Sequence, residues 1–158
     1  MKKLYVGINN FMHKHSFIKS STYFASKFCP WMVMIFYALF LLKIVLESPK
    51  KLPILAAKPV CVLLLTLLTK YAIDRDRPCV KYKIIPIDER KRTSRSFPSI
   101  HSGLALSIAL AVLEYGPNMG LLLFTLACII SVSRILTGVH YTTDVIGSIL
   151  IAIVVNMI

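Results

Sequence analysis

The chain has 158 residues; 56% are hydrophobic, only 16% are charged, and the formal net charge is +12. A mean hydropathy of +0.70 excludes an ordinary soluble domain and favours one polytopic membrane domain. The cations lie beside apolar runs and not along one soluble face, so the charge points to anionic headgroups and an anionic substrate and away from nucleic acid. The basic start, Met1-Lys2-Lys3, is not followed by an apolar stretch with a small-residue cleavage site, so no signal peptide is expected. Cys29, Cys61, Cys79 and Cys128 lack Cys-x-x-Cys spacing, which argues against a metal site or a disulfide framework.

Taken in chain order, residues 4–28 interleave Phe11, Phe17, Phe24 and Phe28 with Lys14, Lys19 and Lys27. That mixture reads as an amphipathic helix lying in the membrane interface. Residues 1–28 are therefore expected to be an interfacial segment, and residues 29–158 the transmembrane domain. A first span runs from about Trp31 to Glu47, and Pro49-Lys50-Lys51-Leu52-Pro53 is a turn. A second runs from about Leu52 to Asp74, with Pro59 expected to kink it. Residues 75–98 form a polar loop carrying the basic cluster Arg90, Lys91, Arg92 and Arg95. A third span follows from Ser99 to Tyr115 and a turn at Gly116-Pro117-Asn118. A fourth runs from Met119 to Leu136, and a fifth, after Gly138, from Asp144 to Ile158. At 1.5 Å per residue the later helices reach only ~22–26 Å, short of a ~30 Å hydrocarbon core. The expected fold is all-α: a polytopic membrane bundle of about five transmembrane helices plus an N-terminal interfacial helix.

The ionisable residues that close or open these spans are the functional candidates, because such groups are costly at membrane depth and tend to mark function. Lys70 and Arg77-Pro78 close span two, and Pro98-Ser99-Ile100-His101 opens span three. Ser133-Arg134 closes span four, and His140 and Asp144 open span five. In an antiparallel bundle all of these reach the same membrane face. Individually each has a plainer reading: a lysine or arginine at a helix end anchors to headgroups, Ser99 caps a helix, and Asp144 complements a helix dipole. Independent anchors, however, need not all fall on one face.

Together the set suits attack on a phosphate ester. Lys70, Arg77 and Arg134 can neutralise phosphate oxygens, and guanidinium forks match phosphate geometry. Ser99 and the amides after it would face an anion at a helix start. His140 and Asp144 are four apart and share a face if that stretch is helical. The carboxylate would then set the tautomer and leave the other ring nitrogen free to attack. His101 could protonate the leaving oxygen and later activate water.

The three pieces, in order, resemble the signature of the type-2 phosphatidic acid phosphatase superfamily: Lys, six residues, Arg-Pro; Pro-Ser-Gly-His; and Ser-Arg, five residues, His, three residues, Asp. The likeness covers residues 60–158. It implies that His140 is the nucleophile, Asp144 its orienting partner and His101 the acid and then base. It also implies that Lys70, Arg77, Ser99, Arg134 and the amide of residue 100 hold the phosphate, with no metal and no cofactor. Ile100 stands where the family has glycine. Its N–H is retained, so phosphate binding survives if the backbone needs no positive φ.

The implied function is an integral-membrane phosphatase of a lipid phosphate or diphosphate: undecaprenyl diphosphate, phosphatidylglycerol phosphate or phosphatidic acid. A lipid phosphotransferase and a non-enzymatic lipid-phosphate binder are the alternatives. The expected partners are the lipid substrate and membrane lipids; oligomeric state stays open. Of the 19 cations only Lys43, Lys50, Lys51 and Lys58 fall on the far face, which by the positive-inside rule puts the site in the cytoplasm. The resemblance implies the opposite, and the expectation adopted is a multi-pass cell-membrane protein with an extracytoplasmic site.

Overall fold

The computed structural model describes residues 2–87 and 95–158, so Arg90, Lys91 and Arg92 of the basic cluster lie outside the described residues. Seven α-helices occur among them: α1 (Lys2–Lys14), α2 (Ser16–Glu47), α3 (Leu52–Ala72), α4 (Pro78–Tyr82), α5 (Ile100–Leu113), α6 (Pro117–Leu136) and α7 (Thr142–Met157). A 3₁₀ turn, Pro49–Lys51, joins α2 to α3. No strand occurs among the described residues, as the all-α expectation requires.

α2, α3 with its preceding turn, and α6 are long and apolar enough to cross a membrane. α5 and α7 are shorter apolar helices, as their sequence lengths predict. α5 is the hub and packs on α2, α3, α6 and α7. It is buried on nearly every side because Ser102, Gly103, Ala105, Ala109 and Ala111 let neighbouring backbones approach closely. Outside the hub, α2 and α3 expose Ile35, Leu39, Leu64 and Leu68, the apolar surface that lipid covers.

The N-terminal reading is corrected. Residues 4–28 are not one helix: α1 stops at Lys14, and α2 runs unbroken from Ser16 through the expected boundary after residue 28. The continuity crosses Pro30, which lies inside α2. Proline has no N–H, so the carbonyl four residues earlier loses its helical donor. Arg134 Nη2 donates to that carbonyl, Ser26 O, at 3.1 Å. Pro59 inside α3 repeats the pattern: Tyr37 Oη donates to Leu55 O at 2.9 Å. In a bilayer an orphan carbonyl costs several kcal/mol, so both helices persist because a partner side chain restores the lost bond.

The polar loop also departs from expectation, since it contains α4, whose entry at Pro78 uses the fixed φ of proline at a first helical turn. After α4, Lys83 adopts φ 52° and the chain returns, with Cys79 N–H donating to Gly138 O at 3.1 Å and Ile87 N–H to Thr137 O at 3.3 Å. Gly138 itself has φ +75°, a conformation that favours glycine and reverses the chain between α6 and α7.

Candidate active site

Backbone bonds draw the motifs together at one end of the bundle. Ser99 N–H donates to Asp144 O at 3.1 Å, joining the start of α5 to α7. His140 N–H donates to Arg134 O at 3.2 Å, closing the turn after α6. Arg77 Nη1 donates to Val139 O at 3.0 Å and lies 3.4 Å from His140 Nε2. Gly147 lets the loop before α5 pack on α7: a Cβ there would sit 2.6 Å from the ring of Phe97, the residue before Pro98-Ser99.

His140 precedes α7 and is not on it, so the expected shared helix face is replaced by a turn that points back over the helix start. The pairing nonetheless forms. His140 Nδ1 faces Asp144 Oδ2 at 3.5 Å, an ion-pair approach longer than a strong hydrogen bond. Both side chains are buried. Burial pushes the His140 imidazole from 6.5 down to about 4; the Asp144 contact opposes that shift, and the charges of Arg77 and Lys70 reinforce it. Lys70 occupies the last turn of α3, half-buried.

Asp144 is gripped from several sides. Tyr141 N–H donates to Oδ2 at 2.8 Å, and Ser96 Oγ donates to the same oxygen. Arg75 Nη1 donates to Oδ1 at 2.9 Å and to Thr143 Oγ1 at 2.8 Å. The Arg75 guanidinium rests on the Tyr141 ring, 4.1 Å from its centroid. Behind it, α1 contributes Tyr5, whose ring meets Tyr141 edge-on at 5.3 Å and whose Oη accepts the Thr142 N–H at 3.1 Å. Arg75, Ser96 and Tyr5 were not among the sequence candidates. Arg75 and Ser96 lie only two residues before Arg77 and Pro98. The one available signal was a second arginine in the run Asp74-Arg75-Asp76-Arg77.

Ser99 sits at the cap position of α5, but its hydroxyl does not cap the helix. It is buried and pairs with Ser102 Oγ at 3.0 Å, which corrects the capping expectation. Ile100 begins α5, and Lys83 is the only non-glycine with positive φ among the described residues. The backbone here thus makes no demand for glycine, and isoleucine fits. Arg95 lies in the same face, 3.9 Å from Asp74 and stacked on Tyr71.

Ile100, His101 and Arg134 open on a cavity of about 420 Å³ between α2 and α5. Ser26 and Lys27 line its polar end, and Trp31, Met34, Leu104 and Ile108 line its apolar walls. The structure thus places His140, Asp144, Arg77 and Lys70 about one centre, and Ile100, His101 and Arg134 on the adjoining cavity. Arg134 O and Asp144 O link the two. Among the described residues, no group of three or more His, Cys, Asp or Glu is arranged to hold a metal.

Comparison with known proteins identifies the family. A model of the PAP2 superfamily matches residues 51–158. The undecaprenyl-diphosphatase BcrC of Bacillus subtilis (strain 168) is 27% identical over 160 residues, covering 99% of this chain and 80% of its own. Among solved structures, LpxE of Aquifex aeolicus matches with a TM-score of 0.75 and 23% identity, over 98% of this chain and 91% of that one. A transmembrane PAP2-type phosphatidylglycerolphosphate phosphatase from Bacillus subtilis matches with a TM-score of 0.56 and 19% identity, over 98% and 89%. The two structural likenesses bear on the fold. The family model spans most of the chain and takes in all three motifs, and the chain belongs to the PAP2 superfamily.

Proposed function

We propose that this protein, a membrane lipid phosphatase of the PAP2 superfamily, passes the terminal phosphoryl group of its substrate to His140 and then to water. The observation that carries the reading is the buried His140–Asp144 pair beside Arg77. Asp144 holds the Nδ1 side of the ring, so the Nε2 lone pair is the attacking atom. Nε2 bonds to phosphorus as the bond from phosphorus to the lipid oxygen breaks. His101 gives its proton to that leaving oxygen. In the second half His101 takes a proton from water, the water oxygen bonds to phosphorus, and the phosphorus–nitrogen bond breaks to release inorganic phosphate. Lys70, Arg77, Arg134, Ser99 and the Ile100 amide hold the phosphoryl oxygens, and positioned charge of this kind is the main source of catalysis in phosphoryl transfer. The reaction needs no metal in this scheme.

The leaving part of the substrate sits beside His101, and the cavity there has apolar walls with Lys27 near its polar end. That combination suits a hydrocarbon chain ending in an anionic group. The relative named undecaprenyl-diphosphatase supports a polyprenyl diphosphate as the substrate. The site is assigned to the extracytoplasmic interface of the cell membrane, with α1 lying in that interface. On a background without native cysteines, Lys81→Cys labels in intact cells if this is right; labelling only after permeabilisation reverses the assignment.

Phosphate release by the purified protein without added metal tests the function. The panel holds undecaprenyl diphosphate, phosphatidylglycerol phosphate, phosphatidic acid and a soluble ester. Turnover of a lipid that vanishes in His140→Ala is expected. Silence across the panel, or turnover that survives the substitution, contradicts the reading.

A further inference from the structure

The two prolines inside membrane helices free two carbonyls, and the two carbonyls are used differently. Leu55 O, freed by Pro59, is taken by Tyr37, which joins α2 to α3; neither Tyr37, Leu55 nor Pro59 lines the cavity beside His101. Ser26 O, freed by Pro30, is taken by Arg134, which closes α6 at the site. We infer that Pro30 is a positioning residue for the phosphate-binding arginine: by lacking an N–H it leaves Ser26 O as the acceptor that aims Arg134 into the substrate cavity. The inference rests on the assignment of Arg134 as a phosphate ligand.

The acceptor is shared: Ser26 O has two lone pairs, and a helical N–H on one of them changes the direction and strength of the bond left to Arg134. Any other residue at position 30 places an N–H on Ser26 O, as every interior helical residue does four positions back. The same oxygen receives Arg134 Nη2 at 3.1 Å, and the bond is buried. Arg134 is itself buried, so the orientation of its guanidinium depends on the acceptors around it. Ser26, Pro30 and Arg134 all line the cavity that His101 enters, so a shift of the fork is felt where the phosphoryl group sits. Proline inside a helix ordinarily weakens it. A purely structural role therefore predicts that removing Pro30 leaves the protein as stable or more stable and otherwise unchanged. A positioning role predicts the same stability with weaker handling of phosphate.

The experiment compares Pro30→Ala with Pro59→Ala in the full chain in detergent. It reads thermal midpoint, kcat and KM on the lipid the wild type turns over, and affinity for orthovanadate, a phosphate mimic. Pro30→Ala is expected to keep or raise the midpoint, to weaken vanadate binding and to lower kcat/KM by roughly tenfold, the scale of one misdirected charged hydrogen bond. Pro59→Ala is expected to leave kcat and KM as they are. In a double-mutant cycle, Pro30→Ala has no further effect once Arg134 is alanine, because it acts through Arg134. Unchanged kcat/KM and vanadate affinity in Pro30→Ala, equal losses in both proline variants, or full additivity with Arg134→Ala overturns the inference. If Pro30→Ala fails to fold, Pro30→Gly restores the same N–H and is judged by the same outcomes. Hydrogen exchange at the Arg134 guanidinium is read without any substrate. Faster exchange in Pro30→Ala supports the inference and unchanged exchange overturns it, even where absence of turnover in the wild type has defeated the phosphatase reading.

Discussion

Arg75 Nη1 lies 2.9 Å from Asp144 Oδ1, and the same guanidinium is stacked on Tyr141, whose N–H holds the other carboxylate oxygen. Asp144 is thereby locked from both sides, with Oδ2 turned to His140. Asp144→Asn keeps the shape of this cluster but removes the charge that favours the Nδ1–H tautomer. A fall in kcat of about 10³–10⁴ with little change in KM is expected, by analogy with carboxylate–imidazole pairs in other nucleophilic sites. Steady-state kinetics on the preferred lipid checks it.

Arg75 acts through Asp144 and so behaves as a positioning residue. Arg75→Gln is expected to lower kcat by roughly ten- to a hundredfold with KM nearly unchanged, the pattern of an interaction expressed only in the transition state. Arg75→Lys keeps the charge and recovers part of the loss. If the split reverses, with KM raised and kcat intact, Arg75 binds substrate directly.

How far the sequence revealed all this depends on the distance over which each feature is encoded. Lys70, Arg77, His101, Arg134, His140 and Asp144 were legible because their spacing places them at the ends of apolar runs, and an antiparallel bundle then aligns those ends. Arg75 and Ser96 were not, because their partner Asp144 is 69 and 48 residues away and only chain closure reveals the pairing. The run of α2 through the expected boundary after residue 28 was missed for a similar reason. Pro30 inside α2 removes a local helical bond, and the bond that offsets it comes from Arg134, 108 residues after the acceptor Ser26. α4 was hidden in a loop read as polar, and Ser99 was read by its position when its hydroxyl answers to Ser102.

The state of His140 gives a pH prediction. Its value falls to about 4 in the fold, from an ordinary 6.5, chiefly through burial, so the folded protein favours the neutral ring. Between these values the unfolded chain binds the extra proton. The group's contribution to stability is therefore complete above pH 6.5 and declines as pH falls toward 4. Nitrogen NMR of the labelled ring is expected to show no titration between about pH 5.5 and 8, the range in which an unperturbed histidine changes charge. A midpoint near 6.5 would show that the ring is not desolvated.

Ile100→Gly tests whether the departure from the family pattern matters. Residue 100 has no positive φ, so glycine is not needed and should cost about 0.5–1 kcal/mol of stability as a less favourable helical residue. kcat on a soluble ester is expected to hold while KM for the lipid shifts, because the side chain lines the cavity and the amide is kept. Thermal unfolding and paired kinetics decide it.

Gly147→Ala should be far more damaging than its size suggests. The new Cβ would meet the Phe97 ring at 2.6 Å and push the loop that carries Ser99 and leads into α5, where His101 sits. Overpacking of this kind costs about 1–3 kcal/mol, and kcat should fall with it. A variant as stable and active as wild type would mean that Phe97 moves without carrying Ser99.

The most direct test is to trap the covalent intermediate. Purified enzyme is mixed with a lipid phosphate carrying radiolabelled phosphorus, quenched in milliseconds and digested. Acid-labile, base-stable label on the peptide containing His140, absent from His140→Ala, is the predicted result. Turnover by the wild type with no such label, or label on a different residue, would contradict the account.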